Sequence, residues 1–383
     1  MSAAHDAPRA WRALQTARAL LAAAFAIVLT IGAIRIAGFG VFDDFQQRVG
    51  AVVIASLVVL LAMPLFGERP RLRWLGLCVD AVLLGAILAA AVWYYRIAEE
   101  LWGGLYSFTQ TDVVVGCLGL AAVLELSRRA IGPPLFIVSV LALGYALGGE
   151  HLPSAVRHAG FQLESTVEVV WYSFNGVFGA PVAVVTAFIL IFVLFGALLE
   201  AIGTGDALLR VAQRATARTR GGPAHAAIAA SGLFGTLSGS TVANVVGTGV
   251  FTMPMIKRHG FSARFAGAVE AAASSGGQIM PPVMGAVAFI MAENLNVPYT
   301  DIVTAAAIPA ILYYLTAFWM VHLEAGRKNL VGLPKDQCPN PWRAMRDDWY
   351  LMLPLAALVF MLFNGFTPMF AGMIGLVLTT VLI

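Results

Sequence analysis

The stretch that decides the fold is "SGLFGTLSGSTVANVVGTG", Ser231–Gly249. It contains no charged residue, five glycines and seven Ser, Thr or Asn residues, although the chain around it is strongly apolar. Such a composition is compatible with a loop, with a weak helix or with a binding site. The charges that flank the stretch and the sequence that follows it decide among the three.

The composition of the chain indicates whether it lies in water or in a membrane. Of its 383 residues 60% are hydrophobic and only 12% are charged, and the mean hydropathy is +0.83. Repeated apolar runs of this kind predict an all-α, polytopic membrane protein. The net charge of +3 reflects arginines in short loops and indicates no nucleic-acid partner. The sequence has no P-loop, nucleophile elbow or HExxH motif, so neither an enzyme nor a bound cofactor is expected.

Arginines predict the orientation, because positive residues in short loops tend to stay in the cytoplasm. Arginines within residues 9–18 place the N-terminus inside, and basic segments at 69–73 and 128–129 alternate with the first four predicted spans. These spans cover about 19–40, 49–66, 74–95 and 113–126. Two later basic clusters, at 210–220 and 257–264, are both expected on the cytoplasmic side.

The segment between these two clusters must return to the side from which it came. It has about 36 residues, whereas two complete crossings of about 30 Å of hydrocarbon need roughly 40 residues plus a turn. The opening stretch lies at its middle. Length, charge and composition together predict a re-entrant helical hairpin over about 222–256, with a polar tip.

A second irregular segment, "SSGGQIMPP" at 274–282, lies in the next apolar run. Pro281 and Pro282 remove backbone donors, and Gly276 and Gly277 weaken the helix before them. The sequence therefore predicts a discontinuous helix over about 265–294. The chain ends within another apolar run, which led us to expect a truncated or split protein.

Two breaks so close together predict a binding site. Irregular backbone persists at membrane depth only inside protein or beside a watery cavity, and secondary transporters build ion and substrate sites from such breaks. Sodium prefers oxygen ligands. The tip and the break offer such oxygens at Ser238, Ser240, Thr241, Asn244, Ser274, Ser275 and Gln278, and Gly239 allows carbonyls to turn inward. The alternative is that both tracts only allow helices to pack closely.

Charged residues inside apolar runs are the other candidates, because ionised groups are costly there. The residues concerned are Arg35, Asp80, Glu125, Glu200, Glu270 and Glu293. Most lie near the ends of spans, where they can reach the headgroups. Glu270 is different, since it precedes the break by one turn; we interpret it as a possible proton or charge site, with helix packing as the alternative.

The residues at 235–293, "GTLSGSTVANVVGTGVFTMPMIKRHGFSARFAGAVEAAASSGGQIMPPVMGAVAFIMAE", resemble the large membrane subunit of tripartite ATP-independent periplasmic (TRAP) transporters. More specifically, the sequence of these residues resembles that of the fused permeases of the TAXI subgroup. "LELSRRAIGPPL" at 124–135 and "LYYLTAFWMVHLEA" at 312–325 are similar to the same group.

The resemblance implies how the chain is divided into subunit-like parts. Residues 1–130 would correspond to a four-helix small subunit fused in front, and residues 131–383 to the first half of the large subunit, itself an inverted repeat. It implies a sodium-coupled, elevator-type permease in the bacterial inner membrane. A TAXI-type periplasmic binding protein would deliver a small organic acid, such as a carboxylate.

The resemblance also assigns candidate residues. The sodium candidates are Ser238, Gly239, Ser240, Thr241, Asn244, Ser275 and Gly276. The substrate candidates are Ser274, Gly277, Gln278, Pro281 and Pro282. Two alternatives remain: a proton-coupled permease with Glu270 or Glu293 as carrier, and a truncated membrane scaffold that does not transport.

Overall fold

The structure is a computed structural model that describes residues 9–40, 43–65, 73–104, 106–332, 346 and 348–382; the side chains of residues 9–13, 73, 237 and 238 lie outside that description. The described residues form helices and no strand, which confirms the predicted fold class. Within the part of the chain that the structure describes, six helices are long and apolar enough to cross a membrane: Leu14–Phe39, Asp44–Ala62, Trp74–Trp102, Pro133–His151, Ala180–Ala201 and Tyr299–Arg327. The chain therefore has the composition and helix lengths of a polytopic membrane protein.

The chain divides into two compact units. The first comprises Met1–Gly32 and Val41–Thr186, and the second comprises Ala33–Gly40 and Ala187–Ile383. The division at residue 130 was drawn from a resemblance to two subunits, and it stays a prediction.

The first unit is built from long helices around an aromatic core. Its helices are α1 (Arg9–Phe39, of which the last residues belong to the second unit), α2 (Asp44–Ala62), α3 (Arg73–Trp102), α4 (Gln110–Ala130), α5 (Pro133–Gly148), α6 (Leu163–Trp171) and α7 (Ala180–Val184). Tyr94, Trp171 and Phe178 are almost completely buried in that core. Gly119 of α4 lies directly beneath the Trp171 ring, where a larger side chain would overlap the indole.

A buried ion cluster joins α1, α3 and α4 in this unit. Asp80 of α3 pairs with Arg18 of α1 at 2.9 Å and with Arg129 of α4 at 2.5 Å. Glu125 accepts hydrogen bonds from Arg128 and Arg129 on the same helix. Asp80 and Glu125 are two of the charged residues that lie inside apolar runs. Their carboxylates are therefore compensated by ion pairs, as buried charges must be.

The second unit contains the predicted hairpin and broken helix. Its helices are α8 (Leu190–Ala201), α9 (Thr204–Thr216), α10 (Gly222–Ser238), α11 (Thr241–Arg258), α12 (Ala263–Gly276), α13 (Ala286–Leu295), α14 (Tyr299–Arg327), α15 (Leu353–Phe363) and α16 (Pro368–Leu382). Helix α10 packs against α8, α9, α11, α12 and α14. The opening stretch of sequence thus lies at the centre of this unit.

Helices α10 and α11 form the hairpin, and Gly239 and Ser240 are its tip. Gly239 ends α10 in the left-handed region at φ 57°, where glycine carries no steric penalty. Ser240 begins α11, and its hydroxyl accepts a hydrogen bond from the Ala243 amide at 3.3 Å. The helices have 17 and 18 residues, or about 26 and 27 Å, which is shorter than the roughly 30 Å hydrocarbon core. The re-entrant course stays a prediction that these lengths favour.

The predicted break lies between α12, which ends at Gly276, and α13, which begins at Ala286. The intervening loop is closed by a hydrogen bond from the Gly285 amide to the Gln278 carbonyl at 2.8 Å. The Tyr299 hydroxyl donates to the carbonyls of Pro282 and Val283. The loop's polar backbone is therefore partly satisfied by protein, as irregular backbone within a membrane requires.

Candidate functional site

The hairpin tip and the broken helix meet through backbone contacts between glycines. A methyl group added at Gly235, in the last turn of α10, would lie 2.5 Å from the Gly277 Cα, and one added at Gly277 would lie 2.6 Å from the Gly235 Cα. A side chain at Gly239 would overlap the Met284 carbonyl. The tract of small residues thus allows close packing, which was one of the two interpretations of the sequence.

The same contacts bring helix ends together in pairs. The C-terminal ends of α10 and α12 meet where Gly235 touches Gly277. The N-terminal ends of α11 and α13 are also neighbours, because the Gly239 carbonyl lies against Gly285, the residue that precedes α13. C-terminal ends carry partial negative charge and N-terminal ends partial positive charge. The arrangement therefore offers an environment for a cation beside one for an anion.

A chain of buried polar groups runs beneath the tip. Asn244 is fully buried, and its amide donates to the Ser231 carbonyl at 2.8 Å, which fastens α11 to α10. The Ser231 and Ser274 hydroxyls lie 3.1 Å apart and join α10 to α12. The first bond joins the two helices of the hairpin, and the second joins the hairpin to the helix before the break.

Glu270 occupies the end of this polar chain and is 0% exposed. The Thr248 hydroxyl donates to Glu270 Oε1 at 2.6 Å, and the Thr252 hydroxyl donates to Oε2. The Ser274 hydroxyl donates to Oε1 at 3.3 Å. We call these three hydroxyls the hydroxyl cage of Glu270.

The structure brings the predicted site residues into one region but gives them different surroundings. Asn244, Ser274, Gly276 and Gly277 are buried, whereas Ser240, Ser275 and Gln278 are exposed; Thr241, Gly239, Pro281 and Pro282 are partly buried. Helix α10 ends at Ser238, whose side chain lies outside the described residues.

The exposed hydroxyls already bond to their own helices. Ser240 caps α11, and the Ser275 hydroxyl donates to the Ala271 carbonyl at 2.8 Å. Because the Ser275 hydrogen points to that carbonyl, the oxygen lone pairs stay available to a cation.

Sequence reasoning missed the cage residues Thr248 and Thr252 and the partner Ser231. A signal was available: Asn244, Thr248 and Thr252 follow each other at intervals of four residues, which places them on one face of a helix. Glu270 and Ser274 have the same spacing. What the sequence did not show is that these two polar faces point at each other.

The comparison with protein families matches residues 118–383 to "Tripartite ATP-independent periplasmic transporter, DctM component". The chain belongs to this family. It is accordingly a multi-pass membrane protein of the DctM family, which in bacteria places it in the inner membrane. The family consists of transporter permeases, which are generally not enzymes.

Several curated relatives of this DctM-family chain are permease proteins of TRAP transporters. It is 28% identical over 49% of its length to the C4-dicarboxylate permease protein DctM of Pseudomonas aeruginosa, and covers 43% of that protein. It is 25% identical over 46% of its length to the sialic acid permease protein SiaM of Vibrio cholerae, and covers 41% of it. It is 24% identical over 69% of its length to the isethionate permease protein DctMQ of Oleidesulfovibrio alaskensis, and covers 42% of it. The matched part thus spans under half of each of these relatives.

A cavity of about 220 Å³ in this DctM-family chain lies beside the hairpin. Its lining includes Glu200, Asp206, Phe234 and Thr248. The Glu200 carboxylate would lie 3.1 Å from a methyl group added at Gly247 of α11. Thr248, whose hydroxyl belongs to the Glu270 cage, is therefore also one of the residues that line this cavity.

Of the remaining charged candidates, Glu293 and Arg35 are exposed at or near helix ends. Glu270 alone among the six is both fully buried and bonded by hydroxyls of neighbouring helices.

Proposed function

We propose that the chain is the permease component of a sodium-coupled TRAP transporter that imports small organic anions. The observation that carries the proposal is the pairing of helix ends: two C-terminal ends meet at Gly235 and Gly277, and two N-terminal ends meet beside Gly239 and Gly285. Broken helices of secondary transporters use this chemistry, with N-terminal ends facing anionic groups and C-terminal ends and unwound carbonyls facing the coupling cation.

The substrate class is supported by the relatives. Dicarboxylates, sialic acid and isethionate, the compounds in their names, are all organic anions. In our proposal the anion lies beside the N-terminal end of α13, near Gln278 and the loop to Pro282. Sodium lies beside the C-terminal ends of α10 and α12, near the side chains of Asn244 and Ser275, and Ser240 at the tip is a further ligand.

Several finer features belong to the same proposal. A periplasmic binding protein of the TAXI type delivers the substrate, and an elevator domain carries the hairpin and the broken helix past a fixed scaffold. Residues 1–130 act as a fused small subunit; in support, the family match begins only at residue 118. The arginine distribution favours a cytoplasmic N-terminus.

Proton coupling is the second candidate, and the burial of Glu270 within hydroxyls favours it. Glu293, the other carrier considered, is exposed at the end of α13.

The sodium site is tested by a pair of matched serine variants. Ser240→Ala and Ser262→Ala each remove a hydroxyl that caps a helix, α11 and α12 respectively. Each therefore loses a cap worth about 1 kcal/mol. Only Ser240→Ala is expected to raise the sodium concentration for half-maximal uptake, by about tenfold for one lost ligand.

The measurement is uptake by the reconstituted permease at a series of sodium concentrations. Asn244→Ala is expected to weaken sodium dependence as Ser240→Ala does. If Ser240→Ala and Asn244→Ala leave the sodium dependence unchanged, the tip is not the sodium site.

A further inference from the structure

We propose that Tyr314 is a positioning residue that holds the C-terminal end of α12 in the conformation needed for cation binding. It belongs to the segment "LYYLTAFWMVHLEA" at 312–325, to which the sodium and substrate sites assign no role. The inference rests on the proposed function, because it concerns the sodium site at the ends of α10 and α12. Three observations carry it: the donors at the end of α12, the different needs of two neighbouring carbonyls, and the packing of the Tyr314 ring.

Two tyrosines of α14 donate hydrogen bonds to carbonyls near the end of α12. The Tyr313 hydroxyl donates to the Ala272 carbonyl at 2.7 Å, and the Tyr314 hydroxyl donates to the Ala273 carbonyl at 2.9 Å. The last carbonyls of a helix have no amide in the following turn to bond with, so other groups must satisfy them. Helix α14 thus supplies donors at the point where the break begins.

The two carbonyls differ in their other hydrogen-bond partners. Gly276 is the last residue of α12, and its amide bonds to the Ala272 carbonyl four residues before it, as in any α-helix. The corresponding partner of Ala273 would be the Gly277 amide, but that amide donates to the Ser274 carbonyl at 3.2 Å. Ala273 is completely buried, so bulk water does not reach its carbonyl. The Ala273 carbonyl therefore depends on its side-chain donor, whereas the Ala272 carbonyl does not.

The Tyr314 hydroxyl takes the place of a backbone amide where the helix changes its hydrogen-bond pattern. Beyond Gly277, the amides of Gln278 and Ile279 also bond to carbonyls three residues before them, at 3.2 and 3.1 Å. This spacing is that of a 3₁₀-helix. The chain thus changes from α to 3₁₀ at Gly277, and Tyr314 binds the carbonyl that this change releases, that of Ala273.

The Tyr314 ring contacts both helices whose C-terminal ends meet at the proposed sodium site. The residue is 9% exposed. A methyl group added at Gly232 of α10 would lie 2.9 Å from the ring, and one added at Gly276 of α12 would lie 2.8 Å from it. Because the ring is held by both helices, its hydroxyl has a fixed position from which to hold the end of α12. It does so close to the contact between Gly235 and Gly277.

Loss of the hydroxyl would change the end of α12. The Ala273 carbonyl would then compete with the Ser274 carbonyl for the Gly277 amide, since an α-helix would give that amide to Ala273. The end of the helix would alternate between the α and the 3₁₀ pattern, and its carbonyls would change direction. These carbonyls carry the partial negative charge of the helix end, so the Tyr314 hydroxyl sets the affinity for a cation without touching it.

The matched variants Tyr314→Phe and Tyr313→Phe test the inference. Each removes one hydroxyl and keeps its ring. The thermal midpoint of the purified full chain is measured at a series of sodium concentrations, with choline chloride keeping the ionic strength constant. A cation that binds only the folded state raises the midpoint, so the sodium concentration for half-maximal stabilisation reports affinity.

Tyr314→Phe is expected to raise this sodium concentration by about tenfold, because a buried acceptor loses its donor. Tyr313→Phe is expected to stay within about twofold of the wild type, because Ala272 keeps its backbone partner. A merely structural role for Tyr314 would lower the midpoint equally at every sodium concentration. That result, or equal sodium concentrations in the two variants, overturns the proposal.

Hydrogen exchange in sodium-free buffer separates this inference from sodium coupling. The amides of residues 277–279 are expected to exchange about tenfold faster in Tyr314→Phe than in Tyr313→Phe, because alternation between two patterns opens their hydrogen bonds more often. Equal exchange in the two variants overturns the positioning role of Tyr314, whatever sodium does. If the wild-type midpoint is independent of sodium, the proposed sodium coupling fails, and the exchange rates alone decide whether Tyr314 holds the end of α12.

Discussion

Gly277→Ala is expected to separate the hairpin from the broken helix and to abolish most uptake. The added methyl group would lie 2.6 Å from the Gly235 Cα. Because the obstructing atom belongs to the backbone, no change of rotamer relieves the overlap. Overpacking of this kind costs about 1–3 kcal/mol, and we expect a fall in thermal midpoint of about 5 °C or more together with a loss of uptake of at least about tenfold.

Gly267→Ala is the matched control for this variant. Gly267 lies on α12, and a methyl group added there meets no atom within 4 Å. The control should insert, fold and transport as the wild type does, since alanine favours a helix more than glycine. If both variants transport normally, contact between the hairpin and the break is not needed for the site.

Asp80→Asn is expected to produce the largest loss of stability in the first unit. Its carboxylate pairs with Arg18 and Arg129, whose side chains are 12% and 4% exposed. Removal of its charge leaves two buried guanidinium groups with less compensation, and breaking a buried pair costs about 3–5 kcal/mol. Thermal unfolding in detergent, followed by the amount of monodisperse protein, measures the change.

The control is Asp44→Asn, which removes a carboxylate that is 60% exposed and that pairs with Arg48 four residues along the same helix. Such pairs contribute about 0–1 kcal/mol, so this variant should unfold close to the wild type. Equal destabilisation by the two variants would show that the buried cluster has no special role in holding α1, α3 and α4 together.

The positions of the hairpin and the break could be predicted because their causes are local. Basic clusters at both ends of the segment limited how often it can cross, and Gly239 and the Pro281–Pro282 pair interrupt helices by their own chemistry. The structure has helices over Gly222–Ser238 and Thr241–Arg258 in the segment 222–256, where the sequence places the hairpin.

The polar interior could not be predicted because it depends on which helix faces meet. The sequence drew attention to the hydroxyls of the tip, whereas the structure engages Ser240 and Ser275 within their own helices and buries Asn244 against Ser231. The cage around Glu270 joins residues of α11 and α12 that are 18 and 22 positions apart. The spacing of four residues identifies the polar face of α11 and that of α12 from the sequence. The site forms only because the two helices pack with these faces against each other.

Uptake by the reconstituted permease, together with the proposed periplasmic binding protein, decides whether transport is coupled to sodium. Proteoliposomes are given either an inward sodium gradient at constant pH or an inward proton gradient without sodium, and accumulation of a radiolabelled organic anion is followed. Accumulation is expected to be driven by the sodium gradient and to be lost in Gly277→Ala. Accumulation that is indifferent to sodium would contradict sodium coupling.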